Sequence, residues 1–80
     1  MKAIVNVFLK EGILDPQGKA TLRALTAHGF SDVSDVRVGK RFVMRVSAET
    51  IDKAEEEAHK MAKETLVNEV IEDYSIDIEP

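Results

Sequence analysis

The chain of 80 residues contains no cysteine. It therefore has no disulfide framework, no thiolate metal site and no thiol nucleophile, and the covalent staples that stabilise many small domains are missing. A domain of this length buries a comparatively small fraction of its unfolded surface, so its stability margin is thin. Association with other chains is the remaining way to stabilise it.

Long hydrophobic runs and an excess of positive charge are also missing. The apolar stretch from Ala3 to Leu9 is short, contains Asn6 and leads into Lys10, which makes it a poor signal-peptide core. No stretch could span a bilayer. Eleven Lys and Arg against fifteen Asp and Glu give a net charge of -4, which repels a phosphate backbone. We expect a cytoplasmic protein that binds neither membrane nor nucleic acid.

Local signatures of catalysis are absent as well. His28 and His59 have no partner at a metal-chelating spacing, and both are expected at the surface. The serines occur without a nucleophile elbow, and the four glycines form neither a Walker A loop nor a GxGxxG motif. The sequence therefore predicts no catalytic, cofactor-binding or metal-ligating residue in this chain.

The first predicted strand, from Lys2 to Lys10, is apolar on both sides. Its second side carries Ile4 and Phe8, although a strand with one solvated face should be polar there. We expect a copy of the chain to cover this face, with Ile4 and Phe8 as the self-association residues.

The rest of the chain predicts two helices and three further strands. In chain order they are a helix from Pro16 to about His28, a strand over Val33 to Val38, a turn at Gly39-Lys40, a strand over Phe42 to Val46, a helix from Thr50 to Asn68 and a strand over Tyr74 to Ile78. The order β-α-β-β-α-β predicts a single α+β domain over residues 1–80. It would be a two-layer sandwich whose antiparallel sheet carries both helices on one face and oligomerises through the sheet.

The segment from Gly12 to Gly18 is the most unusual stretch. Asp15 is a suitable N-cap and Pro16 suits the first helical position, so capping explains both residues. Gly18 lies in the first helical turn, where glycine is a weak helix former. Either the helix start simply tolerates this glycine, or the glycine permits the close approach of another backbone.

Four of the eleven basic residues lie within nine positions: Arg37, Lys40, Arg41 and Arg45. Two interpretations remain open for this predicted hairpin. Its charges either keep a sheet edge soluble or dock onto a carboxylate-rich partner surface.

The predicted fold order does not decide a function, because several functional classes share it. An RNA-recognition domain needs aromatic residues on its central strands, and only Phe42 is available in an acidic chain. A metallochaperone needs paired cysteines. A phosphate-ester hydrolase would need a paired Arg and Asn, and Asn6 and Arg37 show no such arrangement.

Several short motifs, through their order and spacing along the chain, resemble the PurS family, the small subunit of phosphoribosylformylglycinamidine (FGAM) synthase. They are Leu9-Lys10, Gly12-Ile13-Leu14-Asp15-Pro16-Gln17-Gly18, Ala24-Leu25, Gly29-Phe30, Val36-Arg37, Gly39-Lys40 and Val70-Ile71-Glu72-Asp73-Tyr74. The family commonly has an Asn-Pro pair before Val-Ile-Glu, whereas Glu69 follows Asn68 here. This departure bears on the rigidity of the helix-to-strand turn.

The resemblance implies a non-catalytic subunit of a three-component, glutamine-dependent ligase in purine biosynthesis. A large synthetase subunit would bind ATP and magnesium, a glutaminase subunit would release ammonia, and this chain would self-associate, bridge the two and assist ammonia transfer. The partner-binding residues implied are Gly12, Asp15, Pro16, Gln17, Gly18, Arg37, Gly39, Lys40 and Arg41. The alternative is a stand-alone regulatory module of ferredoxin-like architecture that binds a small ligand.

Overall fold

Three strands and two helices make up the computed structural model, which describes residues 1–80. In chain order they are β1 (Lys2–Leu9), α1 (Pro16–Ala27), β2 (Lys40–Arg45), α2 (Ile51–Met61), a π-helical turn (Ala62–Leu66) and β3 (Glu72–Glu79). The strands form one antiparallel sheet in the order β2-β1-β3. The α+β class and the antiparallel sheet predicted from the sequence are confirmed.

The central strand β1 supplies most of the core. Val5 lies opposite Phe42 on β2 and Ile76 on β3. Because side chains alternate along a strand, this row faces α2, and we call that side the α2 face. The opposite side of the sheet, the open face, carries Ile4 between Val43 and Asp77.

The core is built from small side chains. Its largest fully buried side chains belong to Val5 and Val7. The helical side contributes Ala54, Ala58 and Ala62, all completely buried. No leucine or phenylalanine is buried, so the apolar area that the chain removes from water by itself is small.

The second helix does not stay regular as far as Asn68. After Met61 the chain widens into the π-helical turn, in which the Val67 N–H donates to the Ala62 carbonyl oxygen at 2.9 Å. The extra residue in this turn brings Val67, only 9% exposed, onto the core.

The boundaries of α1 agree with the prediction. Asp15 caps its N-terminus and Pro16 is its first residue. At the other end the Phe30 N–H donates to the Leu25 carbonyl oxygen at 3.0 Å, and Gly29 has a φ of 93°. These contacts form a Schellman motif, which requires the left-handed conformation that glycine adopts readily.

The predicted strand over Val33 to Val38 does not form, and neither does the hairpin turn at Gly39-Lys40. Two backbone groups of this segment are engaged elsewhere: the Val38 N–H bonds to Asp15, and the Val36 carbonyl packs on Gly18. The segment consequently runs outside the sheet, and Lys40 pairs directly with Val7 of β1.

The first helix extends away from the sheet. Extensive contacts join α2 to β1 and β3, whereas α1 has no such contact with any strand. The molecule measures 50 × 26 × 14 Å, and its radius of gyration of 16.0 Å exceeds the value of about 12 Å for a compact chain of this length. The prediction that both helices cover one face of the sheet therefore holds within the chain for α2 alone.

The turn into β3 is organised by Asn68. Its carbonyl oxygen accepts the N–H groups of Ile71 at 3.1 Å and Glu72 at 2.8 Å, and its side-chain oxygen accepts the Val70 N–H at 3.1 Å. Glu69 occupies the second position of this β-turn, where proline is favoured. The turn therefore forms without the proline that is common in the family.

We expect Glu69→Pro to raise the free energy of unfolding by about 0.4–1 kcal/mol, because proline restricts the unfolded chain and is favoured at the second position of a β-turn. The Glu69 N–H makes no hydrogen bond that would be lost. Urea denaturation at one protein concentration measures the change. The matched control, Val70→Pro, removes the N–H that Asn68 accepts and should destabilise the protein. Destabilisation by both substitutions would contradict this account.

Candidate functional site

A buried carboxylate connects α1 to the segment that leads into β2. Asp15 is 6% exposed, and its Oδ1 accepts the Gly18 N–H at 2.9 Å while its Oδ2 accepts the Val38 N–H at 2.8 Å. One side chain therefore caps a helix and holds a segment 23 positions further along the chain. We call Asp15, Gly18, Val36 and Val38 the Asp15 clamp.

Gly18 is required by the clamp. A Cβ atom at this position would overlap the Val36 carbonyl oxygen and would lie 2.9 Å from Asp15 Oδ2. The close approach of another backbone, one of the two interpretations of this glycine, is confirmed. The approaching backbone belongs to the same chain.

The clamp favours the charged form of its carboxylate. Hydrogen bonds from the Val38 and Gly18 N–H groups lower the pKa of Asp15 below its ordinary value of 3.8. The positive charge of Arg37 acts in the same direction, and burial opposes it. Asp15 is therefore ionised whenever the protein works near neutral pH.

A shallow depression lies beside the clamp, with a volume of about 460 Å³. Gly12, with a φ of 84°, and Arg37 stand on its rim. The Arg37 guanidinium Nη2 donates to the Lys10 carbonyl oxygen at 3.2 Å, which fixes the arginine at this end of the sheet. Gly39 completes the rim, where a Cβ atom would lie 2.7 Å from the Val7 carbonyl oxygen.

The structure brings most of the predicted partner-binding residues to one end of the sheet. Asp15 and Gly18 are buried there and serve to shape the surface. Pro16 and Gln17 are exposed in the first turn of α1. Gly12, Arg37 and Gly39 are also exposed, on the rim described above.

The basic residues do not form a single hairpin tip. Lys40 Nζ lies 3.6 Å from Glu72 Oε2, and Arg37 is held by the backbone of Lys10. Arg41 and Arg45 belong to the open face and form no ion pair. The unpaired positive charge of this region therefore lies along β2.

The two residues predicted for self-association differ in accessibility. Ile4 is 4% exposed and Phe8 is 46% exposed, so of these two residues Phe8 offers the larger apolar surface. Val43, opposite Ile4 on β2, is 54% exposed. The sequence analysis did not select Val43, because its position opposite Ile4 follows from the strand register.

Other candidate chemistry is sparse. His59 Nδ1 lies 3.0 Å from the Tyr74 hydroxyl, and the two rings meet edge to face at the surface. No three His, Cys, Asp or Glu side chains are gathered closely enough to hold a metal ion. None of the helices combines the length and the apolar character needed to cross a membrane.

The comparison with known families is decisive. A family model described as PurS, phosphoribosylformylglycinamidine (FGAM) synthase, matches residues 2–80. The chain belongs to the PurS family. This membership confirms the resemblance seen in the sequence motifs. FGAM synthase is a glutamine-dependent ligase complex of purine biosynthesis, and PurS is one of its subunits.

Individual relatives agree along the whole chain. The FGAM synthase subunit PurS of Archaeoglobus fulgidus is 43% identical over 76 residues, which cover 95% of this chain and 95% of the relative. The crystal structure of Methanocaldococcus jannaschii PurS is 40% identical with a TM-score of 0.88, covering 98% and 94% of the two chains. A chain of the Thermotoga maritima PurLQS structure is 33% identical with a TM-score of 0.87, covering 95% and 93%.

We expect the Asp15 clamp to make a contribution to the free energy of unfolding that is lost in acid. The folded pKa of Asp15 lies below the unfolded value, so the unfolded state binds more protons between the two values. The stabilisation is present above pH 3.8 and is lost as the pH falls through the folded pKa. In Asp15→Asn this loss should be missing, while stability at neutral pH should already be lower.

Urea denaturation of wild type and Asp15→Asn between pH 6 and pH 2.5, at one protein concentration, measures this difference. Asp77→Asn, an exposed substitution on the open face, is the matched control and should follow the wild type. Parallel pH profiles for wild type and Asp15→Asn would contradict a stabilising clamp.

Proposed function

We propose that this chain, as a single domain over residues 1–80, is the non-catalytic small subunit that bridges the glutaminase and synthetase subunits of FGAM synthase. The observation that carries the proposal is its likeness, at a TM-score of 0.87, to a chain of the Thermotoga maritima PurLQS structure. That assembly bears the names of three components. The likeness extends over 95% of this chain and 93% of that chain.

The shape of the chain suits a bridging role. It is 50 Å long and only 14 Å thick, so it offers large surfaces for its size. The exposed residues Gly12, Pro16, Gln17 and Arg37 lie at one end of the sheet, and the basic strand β2 begins beside them. We assign these four residues, together with Gly39, Lys40 and Arg41, to contact with a larger subunit, and the buried Asp15 and Gly18 to the support of this surface.

A second part of the proposal concerns self-association and cofactors. Copies of the chain associate with each other, and Phe8 on the open face adds to the contact over the nearly buried Ile4.

ATP and magnesium belong to the synthetase subunit, and this chain binds no cofactor. It works in the cytoplasm, where it assists ammonia transfer by fixing the spacing of the two large subunits.

Reconstitution tests the assignment. The purified chain should neither hydrolyse ATP nor release ammonia from glutamine, and its addition to the two large subunits should restore glutamine-dependent amidination. Activity with an ammonium salt in place of glutamine is the control, because free ammonia bypasses the transfer between subunits. Glutaminase turnover by the purified chain, or full glutamine-dependent activity without it, would refute the proposal.

The basic strand gives a second prediction. Arg41→Glu should slow association with a large subunit several-fold at low salt and weaken its salt dependence, because unpaired charges at an interface rim act mainly on the encounter rate. Stability should change by no more than about 0.5 kcal/mol. Lys53→Glu, an equal charge change on exposed α2, is the control. Association rates of Arg41→Glu equal to those of the control would exclude Arg41 from the contact.

A further inference from the structure

The two edges of the sheet differ in length and in charge. Strand β1 lies in the middle, so β2 and β3 each leave one row of backbone N–H and C=O groups without a strand partner. Strand β2 has six residues, and three of them are basic: Lys40, Arg41 and Arg45. Basic side chains on an edge strand discourage the addition of another strand. Strand β3 has eight residues and contains no Lys, Arg or Pro, so its edge is the longer and less protected one.

The strand register identifies the backbone groups that β3 exposes. The Lys10 N–H donates to the Ile71 carbonyl oxygen at 2.9 Å, immediately before the ladder between β1 and β3. Hydrogen-bonded and non-hydrogen-bonded pairs alternate along an antiparallel ladder, so every second residue of β3 from this point bonds to β1. The residues between them direct their N–H and C=O groups away from β1, and these are Tyr74, Ile76 and Ile78. None of their N–H groups has another partner in the chain.

The side chains of β3 give this edge an apolar side and an acidic side. Tyr74, Ile76 and Ile78 are partly buried on the α2 face. Asp77 and Glu79 are exposed on the open face and form no ion pair. A strand added to this edge would therefore meet apolar side chains on one face of the sheet and carboxylates on the other.

The charge of the edge selects its occupant. A second copy of β3 would bring acidic side chains against acidic ones on the open face, and like charges opposite each other destabilise a strand pair. An extended segment with Lys or Arg at alternate positions and apolar residues between them has the complementary pattern. The edge therefore fits a basic strand from a different chain.

A bridging subunit needs two separate contact surfaces. The surface already assigned to a larger subunit includes Lys40 and Arg41, which belong to β2. Because β1 lies between the two outer strands, the free edge of β3 faces the opposite side of the sheet. The two edges are thus placed to contact two different partners.

We propose that an extended segment of one of the two larger subunits adds to the free edge of β3 as a further strand. Its backbone bonds to Tyr74, Ile76 and Ile78, and its basic side chains lie beside Asp77 and Glu79. Main-chain hydrogen bonds supply the affinity in this type of recognition, and alternate side chains supply the specificity. This inference rests on the proposed function and specifies how one of its contacts is made.

Proline at position 78 tests the backbone contact. Ile78→Pro removes an N–H that points away from β1, and proline is tolerated in an edge strand at such a position. Ile78→Ala removes the same side chain but keeps the N–H, so it is the matched control. Binding of each purified larger subunit is measured with wild type and with both variants immobilised. For one of the subunits the dissociation constant should be about tenfold higher with Ile78→Pro than with Ile78→Ala, because a backbone hydrogen bond is lost.

A charge reversal tests the acidic side of the edge independently of proline. Asp77→Lys should slow association with that same subunit several-fold at low salt, because it places a positive charge beside a basic strand. Asp52→Lys, an equal charge change on exposed α2, is the control. Equal association rates for these two variants would overturn a basic occupant.

The outcomes separate this inference from the proposed function. Weaker binding by Ile78→Pro than by Ile78→Ala, at unchanged thermal stability, supports strand addition. Equal binding by the two variants overturns strand addition and leaves the proposed function standing, whereas a wild type that binds neither larger subunit overturns both. If Ile78→Pro unfolds, the comparison of Asp77→Lys with Asp52→Lys decides. Self-association in light scattering that Ile78→Pro alone abolishes would assign the edge to a copy of the chain and overturn the proposal.

Discussion

The Asp15 carboxylate is the interaction on which the rest of the structure depends. By accepting the N–H groups of Gly18 and Val38, it starts α1 and holds the segment before β2 in one place. That segment is then unable to join the sheet, so β2 begins only at Lys40, against Val7. The contact therefore links the start of α1 to the start of β2.

A consequence of the clamp is a core that one chain does not complete. With α1 directed away, the sheet is covered by α2 alone, and the fully buried side chains are no larger than valine. In a chain without cysteine, we propose that association with further copies supplies additional stability. The partly covered sheet and the elongated shape suit the proposed role as an assembly subunit.

The sequence predicted those structural features that depend on interactions between residues close together in the chain. Asp15 and Gly29 marked both ends of α1, and the alternating pattern located β1 and β3. The strand expected over Val33 to Val38 failed because two of its backbone groups are bound by residues distant in sequence, and the π-helical turn has no signal of its own. For the site, the motifs selected the segment that contains the Asp15 clamp, whereas the burial of Asp15 and Gly18 is evident only from the fold.

The central claim is that folding of this chain is coupled to association with its own copies. The most direct measurement is the urea midpoint of unfolding at protein concentrations from about 1 µM to 100 µM. Because association stabilises the folded state by mass action, the midpoint should rise steadily with concentration. A midpoint independent of concentration over this range would contradict the account, because it would show that the chain completes its stable fold alone.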